Sequence, residues 1–168
     1  MSSTKPGFTL IEILVVVAII ALVGTFSAVA VNSARSKQRD ATRLSNVRLV
    51  QSALEDYFNE NNSYPPGDLL PIGDVSQSAC LSLSGFRGDC STESEVLLRR
   101  VPRTYENGLK GTVACGEPSR KAFCYSVLDE GDSYVIHFEL ENSLTSVGLQ
   151  TGVNCATPDG MEAGTCVE

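Results

Sequence analysis

A carboxylate at position 12, six cysteines and a single histidine are the residues of this 168-residue chain whose types could support chemistry. Glu12 is the only charged residue in the run Phe8 to Val31 (FTLIEILVVVAIIALVGTFSAVAV). A carboxylate in such surroundings is costly as a bare charge and wants a positive partner, so its chemistry is ion pairing. The bland alternative is an interfacial acid that snorkels to water or keeps its proton. Cys80 and Cys90, Cys115 and Cys124, and Cys155 and Cys166 form three closely spaced pairs. An even count in a loop-rich region reads as disulfides, whereas metal ligation lacks both a CxxC and a second histidine. Six cysteines allow 15 connectivities, among which nearest-neighbour pairing is preferred. His137 has no nucleophile or carboxylate motif beside it and reads as a surface residue of a strand, so no catalytic residue is assigned and no enzyme is expected. Asp129, Glu130 and Asp132, or Asp159 near Gly160, could attract Ca²⁺. The EF-hand spacing is missing, however, and a solvated turn is preferred, so no metal and no cofactor is assigned.

The elements that carry these residues follow from hydropathy and periodicity. Phe8 to Val31 would rise about 36 Å as a helix, enough to cross a hydrocarbon layer about 30 Å thick. A secretory signal peptide is the rival, with Lys5 as its charged start and Ala28-Val29-Ala30 as its cleavage site; the length of the run and the acid within it argue against that. The net charge of -7 is unevenly laid out. Arg35, Lys37, Arg39, Arg43 and Arg48 face one acid, Asp40, whereas no Lys or Arg follows Lys121. An acidic whole disfavours a dedicated nucleic-acid binder; the basic stretch could meet lipid headgroups, DNA or the acidic surfaces of neighbouring subunits. The positive-inside rule alone would place the remainder of the chain, beyond the anchor, in the cytoplasm, but six paired cysteines place it outside.

Beyond Val31, Leu44, Val47, Leu54 and Phe58, helped by Val50 and Tyr57, make one apolar stripe, with Arg43, Arg48, Glu55 and Glu60 mostly away from it. The spacing predicts one helix from about Phe8 to Asn61, roughly 80 Å long, stopped by Asn61-Asn62 and Pro65-Pro66-Gly67. A loop-rich middle comes next, with a short helix expected at Thr92 to Arg100, where Ser91 or Thr92 can cap and Glu93 and Glu95 suit the first turn. Phe123, Tyr125 and Val127, then Tyr134, Ile136, Phe138 and Leu140, alternate as two strands joined at Asp129-Glu130-Gly131-Asp132. A third strand is expected near Thr145 to Leu149. The tail Thr151 to Glu168 shows no periodicity and is expected to be held by Cys155 and Cys166, whose closure contributes about 3 kcal/mol in the chain-entropy picture. The fold class is α+β: a long N-terminal helix, transmembrane in its first half and amphipathic in its second, packed on a small antiparallel sheet.

Lys5-Pro6-Gly7-Phe8-Thr9-Leu10-Ile11-Glu12 followed by an apolar run resembles the processing site of the type IV pilin superfamily, which includes type II secretion pseudopilins. The resemblance covers residues 5 to about 66. It implies cleavage by a prepilin peptidase after Gly7, methylation of the new amino terminus at Phe8, and pairing of Glu12 with a neighbouring subunit's amino terminus during assembly. Many members of that family carry a proline near the position of Val29, where this chain has only Gly24 to loosen the helix. The resemblance implies a pilin-like arrangement: leader 1–7, anchor and filament-core helix 8–31, and a head 32–168. Within the head come an amphipathic helix 32–61, a loop region 62–120, and a sheet with a disulfide-closed tail 121–168. The expected function is that of a structural subunit of a pilus or pseudopilus filament. Its partners would be other pilins, the prepilin peptidase, the assembly machinery and the membrane. It would sit in the bacterial inner membrane with its head outside the cytoplasm, then in an extracellular or periplasmic filament. The alternative is a membrane-tethered module that binds DNA or a surface ligand without polymerising.

Overall fold

The computed structural model describes residues 7–103, 107–116, 120–121 and 123–166, which fall into two compact units, Met1–Ser36 and Lys37–Glu168. Helix α1, Leu10–Asn61, runs through both. It starts two residues later than the periodicity predicts because Thr9 is its cap. The Thr9 hydroxyl accepts from the Glu12 N–H (3.3 Å) while the Glu12 carboxylate accepts from the Thr9 N–H (3.0 Å) and hydroxyl (2.9 Å). This is a reciprocal capping box, which satisfies two amide donors that a helix start leaves open. At the other end Asn62 turns left-handed (φ 52°) and donates to the Phe58 carbonyl (2.8 Å), and two prolines come after it. Within the first unit the side chains from Phe8 to Val31 are exposed, and the helix is long and apolar enough to cross a membrane.

In the second unit Val47, Val50, Leu54 and Tyr57 are buried on one stripe of α1, with Leu44 and Phe58 half-buried at its flanks. The strands are β1 Leu70–Pro71, β2 Cys80–Ser82, β3 Gly85–Arg87, β4 Val96–Leu98, β5 Ala114–Cys115, β6 Arg120–Lys121, β7 Cys124–Leu128, β8 Ser133–Leu140, β9 Gly152–Thr157 and β10 Gly160–Ala163. They form an antiparallel sheet in the order β1-β7-β8-β9-β10, a small sheet β3-β2-β4 and the pair β5-β6. Tyr134, Ile136, Phe138 and Leu140 of β8 and Tyr125 of β7 join the helix stripe in one core. The fold is thus α+β, a long N-terminal helix with antiparallel sheets, in keeping with a pilin-like fold. Its aromatics pack edge to face: Tyr64 on Tyr134 (centroids 4.6 Å apart) and Phe86 on Tyr125 (5.2 Å).

Three expectations need correction. The segment expected as a helix, Thr92 to Arg100, contains strand β4, because Leu98 and Val96 pair with Leu81 and Ser82; tertiary pairing overrides the capping signal. The third strand of the main sheet is β9, and Thr145–Val147 is instead a 3-10 turn closed by the Leu144–Leu149 bridge. The tail is not irregular: β9 and β10 form a hairpin with Gly160 opposite Thr157. The other face of β8 also carries buried side chains, Val135 and Glu139.

Candidate functional site

The N-terminal residues sit where a second molecule can reach them. Gly7 and Phe8 precede the helix, Phe8 is 86% exposed, and a Cβ added to Gly7 would meet nothing within 4 Å. Gly7 does not occupy the left-handed region, so the fold itself makes no demand for glycine there. Residues 1–6, including Lys5 and Pro6, lie outside the described residues. Glu12 lies one turn into α1, exposed, and among the described residues its carboxylate is held by Thr9 alone, through the capping-box bonds. Among the described residues, apart from Leu49, Leu69, Val75 and Val147, every exposed large hydrophobic side chain falls between Phe8 and Val31. That stretch is an apolar surface with one anionic group near its start.

The head contains a charge cluster that periodicity does not reveal. The stripe of α1 continues past Val47 to Arg43 and Asp40, both with no exposed surface. As a charged residue Arg43 is expected mostly away from the stripe, although its spacing from Val47 puts it there. It is instead fully buried because two carboxylates neutralise it: Asp40 (2.7 Å) and Glu141 (2.6 Å), with the Asn107 carbonyl as a further acceptor. Arg39 adds a two-pronged contact to Glu141 (2.7 and 2.6 Å). Asp40 in turn accepts from the Glu141 and Asn142 backbone N–H groups (2.9 and 2.8 Å) and the Asn142 side chain (2.8 Å). The hydrogen bond from Arg39 to Glu141 holds that carboxyl below its ordinary range against the opposing effect of burial, and Arg43 adds to it. Gly108 (φ 84°) lies against this carboxylate, and a Cβ there would overlap it. The basic stretch is therefore not one free surface: Arg39 and Arg43 are spent inside the head, while Arg35, Lys37 and Arg48 are exposed. A sequence signal existed, since Arg43 lies four residues before Val47 on the same stripe.

A second buried acid closes the outer face of the sheet. Burial works to raise the pKa of Glu139, and it is outweighed by the backbone N–H groups of Thr112 (2.9 Å), Lys110 (2.6 Å) and Gly111 (3.0 Å), which leave it lowered. Nothing local in the sequence marks this contact, because its partners are loop amides. The cysteines are joined as Cys80–Cys90, Cys115–Cys124 and Cys155–Cys166. Two of these bridges flank His137, which pairs in register with Cys124 on one side and Cys155 on the other. Its Nε2 lies 2.9 Å from the Thr165 carbonyl. His137 is thus half-buried in a covalently stapled face rather than a free surface residue. Among the described residues no group of three or more His, Cys, Asp and Glu side chains could hold a metal ion.

The turn between β7 and β8 carries Asp129 and Glu130, both left-handed (φ 50° and 56°), then Gly131 (φ 110°). Its Gly131 carbonyl accepts from the Tyr64 N–H (2.8 Å), which places the turn at the C-terminal end of α1. Burial, with a hydrogen bond to Glu55 (3.0 Å) and the nearby charge of Asp159, pushes the Tyr64 phenol up to about 12. This end of the head is therefore densely acidic. No curated protein and no solved structure matches the chain. Residues 3–28, which contain Gly7, Phe8 and Glu12, match the family model described as the prokaryotic N-terminal methylation motif, so the chain carries the type IV pilin and pseudopilin signature.

Proposed function

We propose that the chain is a structural subunit of a type IV pilus-like or type II secretion pseudopilus filament, cleaved after Gly7 and methylated at Phe8. The observation that carries the reading is the methylation motif set on an exposed Gly7–Phe8 junction that leads straight into an apolar helix. A peptidase needs an accessible, extended substrate, and a glycine that the fold does not require is accounted for by an enzyme that does. Cleavage would create an ammonium group at Phe8, one turn from Glu12. Among the described residues the Glu12 carboxylate bonds only to Thr9, which supports its availability to the amino terminus of a neighbouring copy as helices pack into a filament core. The subunit would be anchored in the inner membrane by residues 8–31, with its stapled head outside the cytoplasm, and would later enter an extracellular or periplasmic filament. Three disulfides in the head support that compartment. Its partners would be other pilins, a prepilin peptidase and the assembly machinery.

Mass spectrometry of protein from the native cell tests this. The expected result is loss of residues 1–7 and one added methyl on Phe8. A mature chain beginning at Val31 would overturn it in favour of a cleaved signal peptide.

A further inference from the structure

Between Arg48 and Arg87, and again after Lys121, the chain has no Lys or Arg. Both stretches contribute to the same end of the head. Asp56 and Glu60 close α1, which has no basic residue in its last turn, so their charges oppose the negative end of the helix dipole unrelieved. Asp129, Glu130 and Asp132 lie beside them through the Tyr64–Gly131 bond, and Asp159 is near enough to act on Tyr64. All six are exposed. Asp129 and Glu130 hold left-handed backbone conformations that Asn or Gly would adopt at lower cost.

The counterpart is a band of arginines on the small sheet. Arg87 pairs in register with Cys80, and beyond the Leu81–Leu98 pair the next residues on β2 and the β4 edge are Cys80 and Arg99. The row Leu98-Leu81-Phe86 packs into the core; in the adjacent row Arg99-Cys80-Arg87 the two arginines are exposed while Cys80 between them is buried. That row is stapled at its centre by Cys80–Cys90. Arg100 and Arg103 come next in the chain, the latter with its backbone against Gly73. All four arginines are exposed and none is in an ion pair among the described residues. Val75, 58% exposed, belongs to the segment whose backbone lies against Gly88, next to Arg87, and adds an exposed apolar side chain to that segment. Ile72, next to Gly73, donates to the Phe123 carbonyl, so the Arg103 end of the band sits near the Phe123 end of β7, about 17 Å of strand from the acidic turn at its other end.

We infer that the arginine band Arg87, Arg99, Arg100 and Arg103 docks on the acidic end of a second copy of this chain. The inference rests on the proposed filament function. The band and the acidic end are separate patches of one head, so copies displaced along a filament axis can present one patch to the other, and such a head-to-tail contact repeats without closing. Opposite charge steers that encounter and fixes its register, and like charges suppress the reversed stacking. A rigid strand row presents the guanidinium groups at low entropic cost, which suits them to carboxylates.

The test is charge exchange in the native cell, with fibres counted by electron microscopy and processed subunit quantified in the membrane. R99E/R100E and, separately, E130K/D132K should each cut fibre yield at least tenfold while leaving processed, disulfide-bonded subunit in the membrane with an unchanged tyrosine near-ultraviolet spectrum. The four changes combined should restore fibres. Wild-type yield from either pair, or no rescue by the combination, overturns the inference and leaves the filament reading standing. Fibres that form normally in R99E/R100E but no longer retain added duplex DNA would also overturn it, assigning the band to phosphates. Absence of fibres from the wild-type chain overturns the filament reading, and the docking inference with it.

Discussion

Removing Asp40 should destabilise the head more than removing Arg43, although the two are partners in one ion pair. The four charges of Arg39, Arg43, Asp40 and Glu141 balance, and Asp40 and Arg43 are wholly inaccessible. Breaking a buried pair from one side costs about 3 to 5 kcal/mol, because the remaining charge is stranded away from water. Arg43→Met strands Asp40, but that carboxylate keeps three N–H donors from Glu141 and Asn142, and Glu141 keeps the two-pronged contact from Arg39. Its cost should fall at the low end, about 3 kcal/mol. Asp40→Ala leaves two guanidinium groups on one carboxylate and also deprives those N–H donors of their acceptor, which adds about 1 kcal/mol or more. Its cost should reach about 5 kcal/mol. The double variant strands neither charge, so its cost should fall short of the sum of the singles by about 2 kcal/mol or more. The chain has no tryptophan, and every tyrosine belongs to the second unit, so tyrosine emission during urea unfolding in detergent micelles reports the head alone. At a slope near 2 kcal/mol/M, a loss of about 4 kcal/mol moves the midpoint by about 2 M. Additive single and double variants, or Arg43→Met as the worse single, would refute the reasoning.

Acid should act on Glu141 of this cluster and on the separate buried acid Glu139. Glu139, against burial and through the loop amides, and Glu141, through Arg39 and Arg43, are held below the ordinary carboxyl range in the folded head, so the unfolded chain takes up protons first as the pH falls. Their contribution is complete above about pH 5 and is lost as the pH drops through the lowered folded values. Urea midpoints measured from pH 7 to pH 3 should therefore be flat and then decline below about pH 4.5, and the double variant E139Q/E141Q should flatten that decline; an unchanged slope in the variant would contradict the assignment. At the other end of the chain, Glu12→Leu should leave the protein in the membrane and abolish fibres, whereas wild-type fibres from this variant would remove the pairing role proposed for Glu12.

How much of this was legible in the sequence depends on how far apart the partners lie. The end of α1 follows from Asn61-Asn62 and Pro65-Pro66, and the alternation in 123–127 and 134–140 predicts β7 and β8, because each signal is local and each apolar face meets one core. Thr92 to Arg100 misleads because a capping residue and two acids are also compatible with a turn before a strand. There Ser84 binds Glu93 (2.9 Å) and the partner strand supplies the missing hydrogen bonds. The β9–β10 hairpin escapes because its small and polar residues, Gly152 to Ala163, carry no hydrophobic rhythm. Its register is instead set by pairing with β8.

The two charged sites differ in the same physical sense. Arg43 and Glu141 are 98 residues apart in sequence, and their pairing arises only once β8 ends beside α1, so no window of the chain announces it. Gly7 and Phe8 sit within a few residues of Glu12 and meet no need of the fold, since Gly7 has open space about it and Phe8 is exposed; Glu12 does help Thr9 to start the helix, but its charge has no cationic partner among the described residues. A short motif that the structure does not require, placed on exposed chain, is addressed to other molecules, and other molecules can read it only if it is local. The features that make the N-terminus poorly explained by its own contacts are thus the features that make its proposed roles, processing and assembly, readable from the sequence.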